Sequence, residues 1–471
     1  MLTTEPTESI QSEKDQDQRV PVRPGTWSAL RPLVLRLHFY AGLLIAPFLF
    51  VAAASGLLYA LSYQAEKIVY RHELEVPVGD SVRPLAEQVE AARRARPDNT
   101  VTAVWPAAEE GATTRVLMSG PGVEDGRSLA VFVDPYTAEV RGALPSYGGS
   151  GALPLRTWLS QVHRDLGLGE PGRVYSELAA SWLWVIALGG LALWLGRRRT
   201  ARRALFLPEG GARSRRRTLS WHGSVGLWAT AGLLGIAATG LSWSAYAGEN
   251  IGSLRERLGG ATPSVSAALD SVAGSADSGH EGHEGHSSGH RPTAPAGGGV
   301  IGIDQAVRVA AEAGVAGEIA VSLPSEGKGY VVKGIDRQYP VHLDSVAVDP
   351  ADGRVLDTVR FADYPLLAKL TSIGIALHMG TFLGLPNQLA LAVLALALVL
   401  LVVWGCRMWW LRRPGRPVGP GAWRRVPPTV LLPLAAGTAA VGWFLPLLGL
   451  SLLAFLVVDG ARSLAARRPN G

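Results

Sequence analysis

Five stretches of this chain contain no Asp, Glu, Lys or Arg: Ala41 to Tyr63 (23 residues), Leu178 to Gly196 (19), Leu219 to Gly248 (30), Leu370 to Cys406 (37) and Val426 to Val458 (33). A helix of about 20 apolar residues crosses a ~30 Å hydrocarbon core, so each run reaches that length or nearly so. With 18% charged residues and a mean hydropathy of +0.18 over 471 residues, the composition excludes a soluble multidomain protein, a secreted disulfide scaffold and a single-anchor receptor. The first run follows a polar tail and is too long for a cleaved signal peptide, so it reads as a retained span.

The basic excess of +6 is placed where membrane topology wants it. Nine arginines fall between Arg197 and Arg217 and five between Arg412 and Arg425, each group against the end of an apolar run. That is a positive-inside pattern and gives no reason to invoke nucleic acid. It puts those loops and the N-terminus in the cytoplasm, and residues 64–175 and 246–365 outside. The one cysteine, Cys406, lies in a hydrophobic run, so no disulfide, iron–sulfur cluster or CxxCH haem attachment arises within the chain.

A search for internal repeats is the most informative step. A shift of 184 aligns His38 with His222, Gly42 with Gly226, Ser55 with Thr239, Gly56 with Gly240 and Leu57 with Leu241. A shift of 215 aligns Asp134-Pro135 with Asp349-Pro350, His163 with His378, Gly169 with Gly384, Pro171 with Pro386, Trp194 with Trp409 and Arg197 with Arg412. Each half thus holds a helix, an outer domain, a His-bearing segment with a Gly-x-Pro break, and a second helix ending in Trp and Arg. Parallel repeats of this kind imply a pseudo-twofold axis along the membrane normal.

The expected fold is a polytopic α-helical membrane protein with internal duplication. It has four main spans, a C-terminal hydrophobic hairpin or helix, and two small extracytoplasmic α+β domains. In order these are a disordered cytoplasmic tail (1–32), TM1 (33–63), outer domain 1 (64–150), a His-bearing segment (151–172), TM2 (173–196) and an Arg-rich loop (197–218). TM3 (219–246), a disordered His-rich linker (247–299), outer domain 2 (300–363), a second His-bearing segment (364–384), TM4 (385–411), an Arg-rich loop (412–427), the hydrophobic segment (428–460) and a tail (461–471) follow. A hairpin bending near Gly442 to Pro446 is favoured for the last run, because 33 residues of helix would extend about 50 Å. In the outer domains Arg83 to Arg96 and Ile303 to Ala313 have helical composition. Val101 to Trp105, Thr114 to Met118, Ser128 to Asp134, Glu318 to Leu323, Gly329 to Gly334, His342 to Asp349 and Arg354 to Arg360 read as strands.

The segments Val133-Asp134-Pro135-Tyr136-Thr137-Ala138-Glu139-Val140 and Val348-Asp349-Pro350-Ala351-Asp352-Gly353-Arg354-Val355 are similar to the closing hairpin of PepSY domains. From about residue 30 to 460 the chain resembles the PepSY-associated transmembrane family, iron-regulated inner-membrane proteins that include ferric-siderophore reductases. The resemblance implies two haems and electrons passed outward to ferric chelates. Where such hairpins usually carry Thr-Gly, this chain has Thr137-Ala138 and Asp352-Gly353, a departure that bears on turn geometry.

An ionisable side chain in a span is a functional candidate, since burying it costs free energy unless something pairs with it. His38 and His222 stand at the cytoplasmic starts of their helices; His163 and His378 stand on the outer side, each eight residues before a proline. Two histidines at one depth, related by a twofold, can hold one haem iron from opposite faces. Two such pairs give two b-type haems across the bilayer, with Arg36, Arg164, Arg217 and Lys369 as candidate propionate partners. Between the halves, His280, His283, His286 and His290 lie in a Gly/Ser-rich stretch with Glu281 and Glu284. They read either as an inert flexible linker or as a weak, unselective site for a divalent metal.

The favoured function is a membrane oxidoreductase taking electrons from an unidentified cytoplasmic donor to a ferric siderophore or other metal complex outside. A haem-free membrane-anchored PepSY regulator of peptidases is the alternative. A metal permease is disfavoured, because the uncharged runs carry no Asp or Glu.

Overall fold

The computed structural model describes residues 26–197, 203–209, 214–269, 301–339, 343–411 and 426–465. In chain order, α1 (Thr26–Val69) and the short α2 (Arg71–Leu74) lead to α3 (Leu85–Ala95) and strands β1 (Thr100–Trp105), β2 (Thr114–Ser119), β3 (Arg127–Val133) and β4 (Val140–Tyr147). Helix α4 (Pro154–Asp165) then turns into α5 (Glu170–Leu195), with α6 (Arg203–Phe206) beyond it. The second half runs α7 (Ser214–Leu241), α8 (Tyr246–Arg257), α9 (Ile303–Glu312), β5 (Ile319–Ser322), β6 (Tyr330–Gly334), β7 (Ser345–Val348), β8 (Val355–Val359), α10 (Leu366–Met379) and α11 (Leu385–Trp410). The last pair is α12 (Pro428–Phe444) and α13 (Pro446–Ala465).

Helices α1, α5, α7 and α11 are long and apolar enough to cross a membrane. They form a ring in which α1 and α7 each pack against both α5 and α11, so that α1 and α7 lie on a diagonal. The interior between them is apolar, with Ala41, Ile45, Leu49, Leu183, Ala229, Leu233, Ala237 and Leu401 in one buried cluster. At 44 residues α1 extends about 66 Å, more than a bilayer, and its far end carries the chain into the sheet.

The expected strands and helices of the outer region form close to where the sequence puts them, but not as two separate sheets. One eight-stranded antiparallel sheet has the order β4-β3-β2-β1-β5-β6-β7-β8, joined at its centre by Ala103 opposite Ser322 and Val104 opposite Val321. The strands at which each four-stranded unit would otherwise expose unpaired N–H and C=O groups meet each other instead. Helices α3 and α9 pack together, and Asp304 of α9 accepts from the backbone N–H groups of Leu85 (2.7 Å) and Ala86 (3.0 Å) at the start of α3. Val104, Val116, Val131, Val321, Val332 and Val346 are fully buried in a core common to both halves, each contributing roughly 1.5–3 kcal/mol.

The His-bearing segments are helices with abrupt ends. Helix α4 closes on Leu166 (φ 58°) and α10 on Gly380 (φ 79°); Gly169 (φ 64°) and Gly384 (φ 62°) then start α5 and α11 with Pro171 and Pro386 in the first turn. Glycine adopts the left-handed region without a Cβ clash, and proline tolerates the first turn because its missing N–H has no partner there.

One flank differs from the sequence reading and another agrees with it. The stretch 247–299, expected as linker, begins with helix α8, whose first turn is capped by Glu177 of α5 through the N–H groups of Tyr246 (3.0 Å) and Ala247 (2.9 Å). The C-terminal apolar run bends at Leu445–Pro446 into two packed helices, the expected hairpin. Helix α13 returns against α5 and α8, with Trp182 Nε1 donating to Ser451 Oγ at 2.9 Å.

Candidate functional site: two facing histidine pairs

Across the diagonal of the bundle, His38 on α1 and His222 on α7 have ring centroids 6.3 Å apart, their planes crossing at 75°. Nearer the sheet, His163 on α4 and His378 on α10 have centroids 6.5 Å apart with planes at 57°. The two levels are joined by α1 and α7, since His163 bonds to Ser55 and His378 to Thr239. From residue 38 to 55, and again from 222 to 239, is 17 residues, about 25 Å of helix at 1.5 Å per residue.

Hydrogen bonds fix which ring nitrogen each histidine has to offer. His38 Nδ1 lies 2.9 Å from the Ile186 carbonyl and His222 Nδ1 lies 3.1 Å from the Leu401 carbonyl. A carbonyl only accepts, so both Nδ1 atoms carry the proton and each Nε2 keeps its lone pair. The sheet-side pair reaches the same state through hydroxyls. Ser55 Oγ donates its one proton to Val51 O (2.7 Å) and Thr239 Oγ1 donates to Gly235 O (2.8 Å). Each hydroxyl therefore accepts from its histidine, His163 Nδ1 at 3.1 Å and His378 Nδ1 at 2.7 Å, and both Nε2 atoms keep their lone pairs. Such outer partners orient a metal-binding imidazole and raise its basicity.

Glycines make the room. A Cβ on Gly190 would stand 2.9 Å from His38 Cε1 and one on Gly405 would stand 3.9 Å from His222 Cε1; at the other level Gly56 and Gly240 would place Cβ 3.1 and 3.5 Å from the Cε1 atoms of His163 and His378. Gly42, one turn beyond His38, would extend its Cβ into space with no atom within 4 Å, leaving a flat face beside the ring. The hydrogen-bonded and close-packed partners recur at the same intervals as the histidines: Ile186 and Leu401, and Gly190 and Gly405, are 215 apart, whereas Ser55 and Thr239, and Gly56 and Gly240, are 184 apart.

The donor set selects among metals. Among the described residues no group of three His, Cys, Asp or Glu side chains converges on a point, so neither pair alone completes a tetrahedral zinc site. A metal–imidazole bond of about 2 Å on each side, with about 1 Å from nitrogen to ring centre, separates two trans imidazole centroids by roughly 6 Å. Both pairs have that spacing. Two trans imidazoles suit a metal whose other ligands come from a planar macrocycle, as in haem.

The candidate cations are placed differently from the histidines. Arg36, two residues from His38 and so on the opposite side of α1, is buried against Asp459 of α13 and lies over the Tyr40 ring at 5.3 Å. Arg164 donates to Tyr147 Oη (2.9 Å) at the sheet edge, Lys369 Nζ donates to Ala362 O (2.6 Å), and Arg217 is exposed on α7. His280, His283, His286 and His290 lie outside the described residues. The sequence reading found Ser55, Thr239, Gly56 and Gly240 as repeats without assigning them work, and did not single out Ile186, Leu401, Gly190 or Gly405.

A ring of membrane-spanning helices joined to an antiparallel sheet defines a multi-pass membrane protein. The family described as the PepSY-associated TM region matches residues 35–412, and the chain belongs to that family. No curated protein matches it.

Proposed function

We propose that this protein is a dihaem membrane oxidoreductase, duplicated within one chain and bearing paired PepSY domains on its outer side. His38 and His222 hold the haem nearer the cytoplasm; His163 and His378 hold the one nearer the outer domains. The observation that carries this reading is the pair of facing histidines at each level, with centroids 6.3 and 6.5 Å apart and Nδ1 engaged in all four. Haem b supplies a one-electron couple. The protein's part is to fix the axial ligands, exclude water and hold the two sites about 25 Å apart along α1. Arg36 being taken up by Asp459, Arg164, adjacent to His163 in sequence, and Arg217, five residues before His222, are the propionate partners of this reading.

The acceptor is a ferric siderophore or comparable ferric complex on the outer side. Fe³⁺ binds hard oxygen chelators far more tightly than Fe²⁺, so one electron loosens the metal without breaking the chelator. The donor is a cytoplasmic reductant, and the cell membrane is the setting, with the arginine-bearing loops inside. The His280 to His290 stretch gathers weakly held divalent metal in this scheme. The deciding experiment is a pyridine haemochrome assay on protein purified from haem-replete cells. About two non-covalent haems b per chain are expected, and a colourless preparation would overturn the reading in favour of a haem-free regulator.

A further inference from the structure

The interior between the two histidine levels shows what can travel with the electron. His38, Ile45, Leu49 and Gly56 follow one another at intervals of 7, 4 and 7, as do His222, Ala229, Leu233 and Gly240, so each series lies along one helical face. Ile45, Leu49, Ala229 and Leu233 are buried in a single apolar cluster with Leu183 and Leu401. Five serine and threonine hydroxyls in this interval form no chain from one level to the other. Ser55, Thr230 and Thr239 donate to carbonyls of their own helices, and Ser181 and Ser224 are buried with no partner. Among the described residues of the four spans, the carboxylate between the levels is Glu177. Both its oxygens accept from the N–H groups at the start of α8, at 3.0 and 2.9 Å, and are committed to capping that helix.

On the dihaem reading, we infer that each electron crosses without a proton, so that the reaction moves net charge through the membrane and is driven by the membrane potential. A resting potential negative inside favours the outward direction. The two levels are separated by about 25 Å of a ~30 Å core, so 100 mV shifts the distribution of an electron between them by about 20-fold.

The test uses the full-length protein in sealed lipid vesicles with reduced flavin mononucleotide trapped in the lumen and a ferric chelate outside. Each reduced flavin gives up two electrons and two protons; the electrons reduce two external Fe³⁺ to Fe²⁺ and the protons stay in the lumen. The expected result is an inside-positive potential reported by a voltage-sensitive dye, one charge per Fe²⁺ formed, with turnover that stalls until valinomycin and K⁺ collapse the potential. Glu177→Gln should behave the same. Fe²⁺ formed outside with no potential, or a potential restored only by Glu177→Gln, would show that protons accompany the electrons and overturn the inference. Absence of haem or of any external Fe²⁺ would instead defeat the dihaem reading beneath it.

Discussion

His38 and His222 stand 6.3 Å apart across the bundle, centroid to centroid, with their ring planes at 75°, and each is held in that orientation by a carbonyl on a different neighbouring helix, Ile186 on α5 and Leu401 on α11. Neither imidazole can turn to align with the other without losing its hydrogen bond. Axial ligand planes near perpendicular leave the two iron d orbitals of π symmetry nearly equal in energy. If each pair holds a haem, as proposed, the oxidised His38/His222 site should therefore give a highly anisotropic low-spin EPR signal, and the His163/His378 site, with planes at 57°, a less extreme one. Two superimposable rhombic signals would contradict the geometry.

Ligand removal should act locally. His222→Ala should strip or spin-shift one haem and leave the other, and His378→Ala should do the converse. The two pairs lie on different levels with a packed apolar cluster between them. Loss of both haems from either variant, in a protein that still folds, would exclude pairing by level.

Ser55 and Thr239 hydrogen-bond to the sheet-side histidines, and on the proposed reading they act on that haem through them. Ser55→Ala and Thr239→Ala remove the acceptors that hold His163 and His378, which should weaken haem retention there by about 10–100-fold. Titration of apoprotein with haem, followed by the Soret band, would measure this; equal weakening at both sites would point to general unfolding.

Gly190 leaves room for the His38 ring. A methyl group there would stand 2.9 Å from His38 Cε1, so Gly190→Ala should displace the ring and disturb the inner haem. The equivalent change at Gly405, where the Cβ would sit 3.9 Å from His222 Cε1, should be milder. A reversed ranking of the two spectra would refute this.

The closing hairpins of the sheet offer a comparison free of any cofactor. Ala138 (φ 61°) and Gly353 (φ 79°) occupy the same left-handed position of their turns, 215 residues apart. An L-residue pays roughly 1–2 kcal/mol to sit there, so Ala138→Gly should stabilise the outer region and Gly353→Ala should destabilise it, each by about 1 kcal/mol. Thermal unfolding monitored by far-UV circular dichroism would show the opposite shifts.

A buried ion pair anchors α4, the helix that carries His163. Arg156 Nε donates to Glu66 Oε2 at 2.9 Å with both side chains almost fully buried, and the guanidinium lies 4.6 Å from the Tyr63 ring centre. Arg156 precedes His163 by seven residues, two turns along the same face of α4. Glu66→Gln should cost about 3–5 kcal/mol by stranding the arginine, whereas replacing both partners with apolar residues should cost much less. Similar losses in the single and double variants would refute this.

Much of this was legible in the sequence because it is local or periodic. Uncharged runs mark the spans, and the offsets of 184 and 215 put the four histidines in register before any coordinate is known. What escaped depends on contacts between distant segments. Nothing in Ala103 or Val321 says that two strand edges will pair. Helix α8 looks like linker because its cap, Glu177, comes from another helix 69 residues away in sequence. Arg36 reads as a cation beside a histidine until α13 brings Asp459 back over 423 residues. Gly190 and Gly405 look like ordinary small residues in an apolar run until the rings they accommodate are seen.

The seam between β1 and β5 also bears on how such a chain can be divided. Each half brings to it an edge strand and part of a common core, so the halves are complementary surfaces of one body rather than beads on a string. Cut in the stretch between them and produced as two polypeptides, they have a reason to find one another and rebuild the assembly, whereas either one alone would expose a bare strand edge and half of each histidine pair.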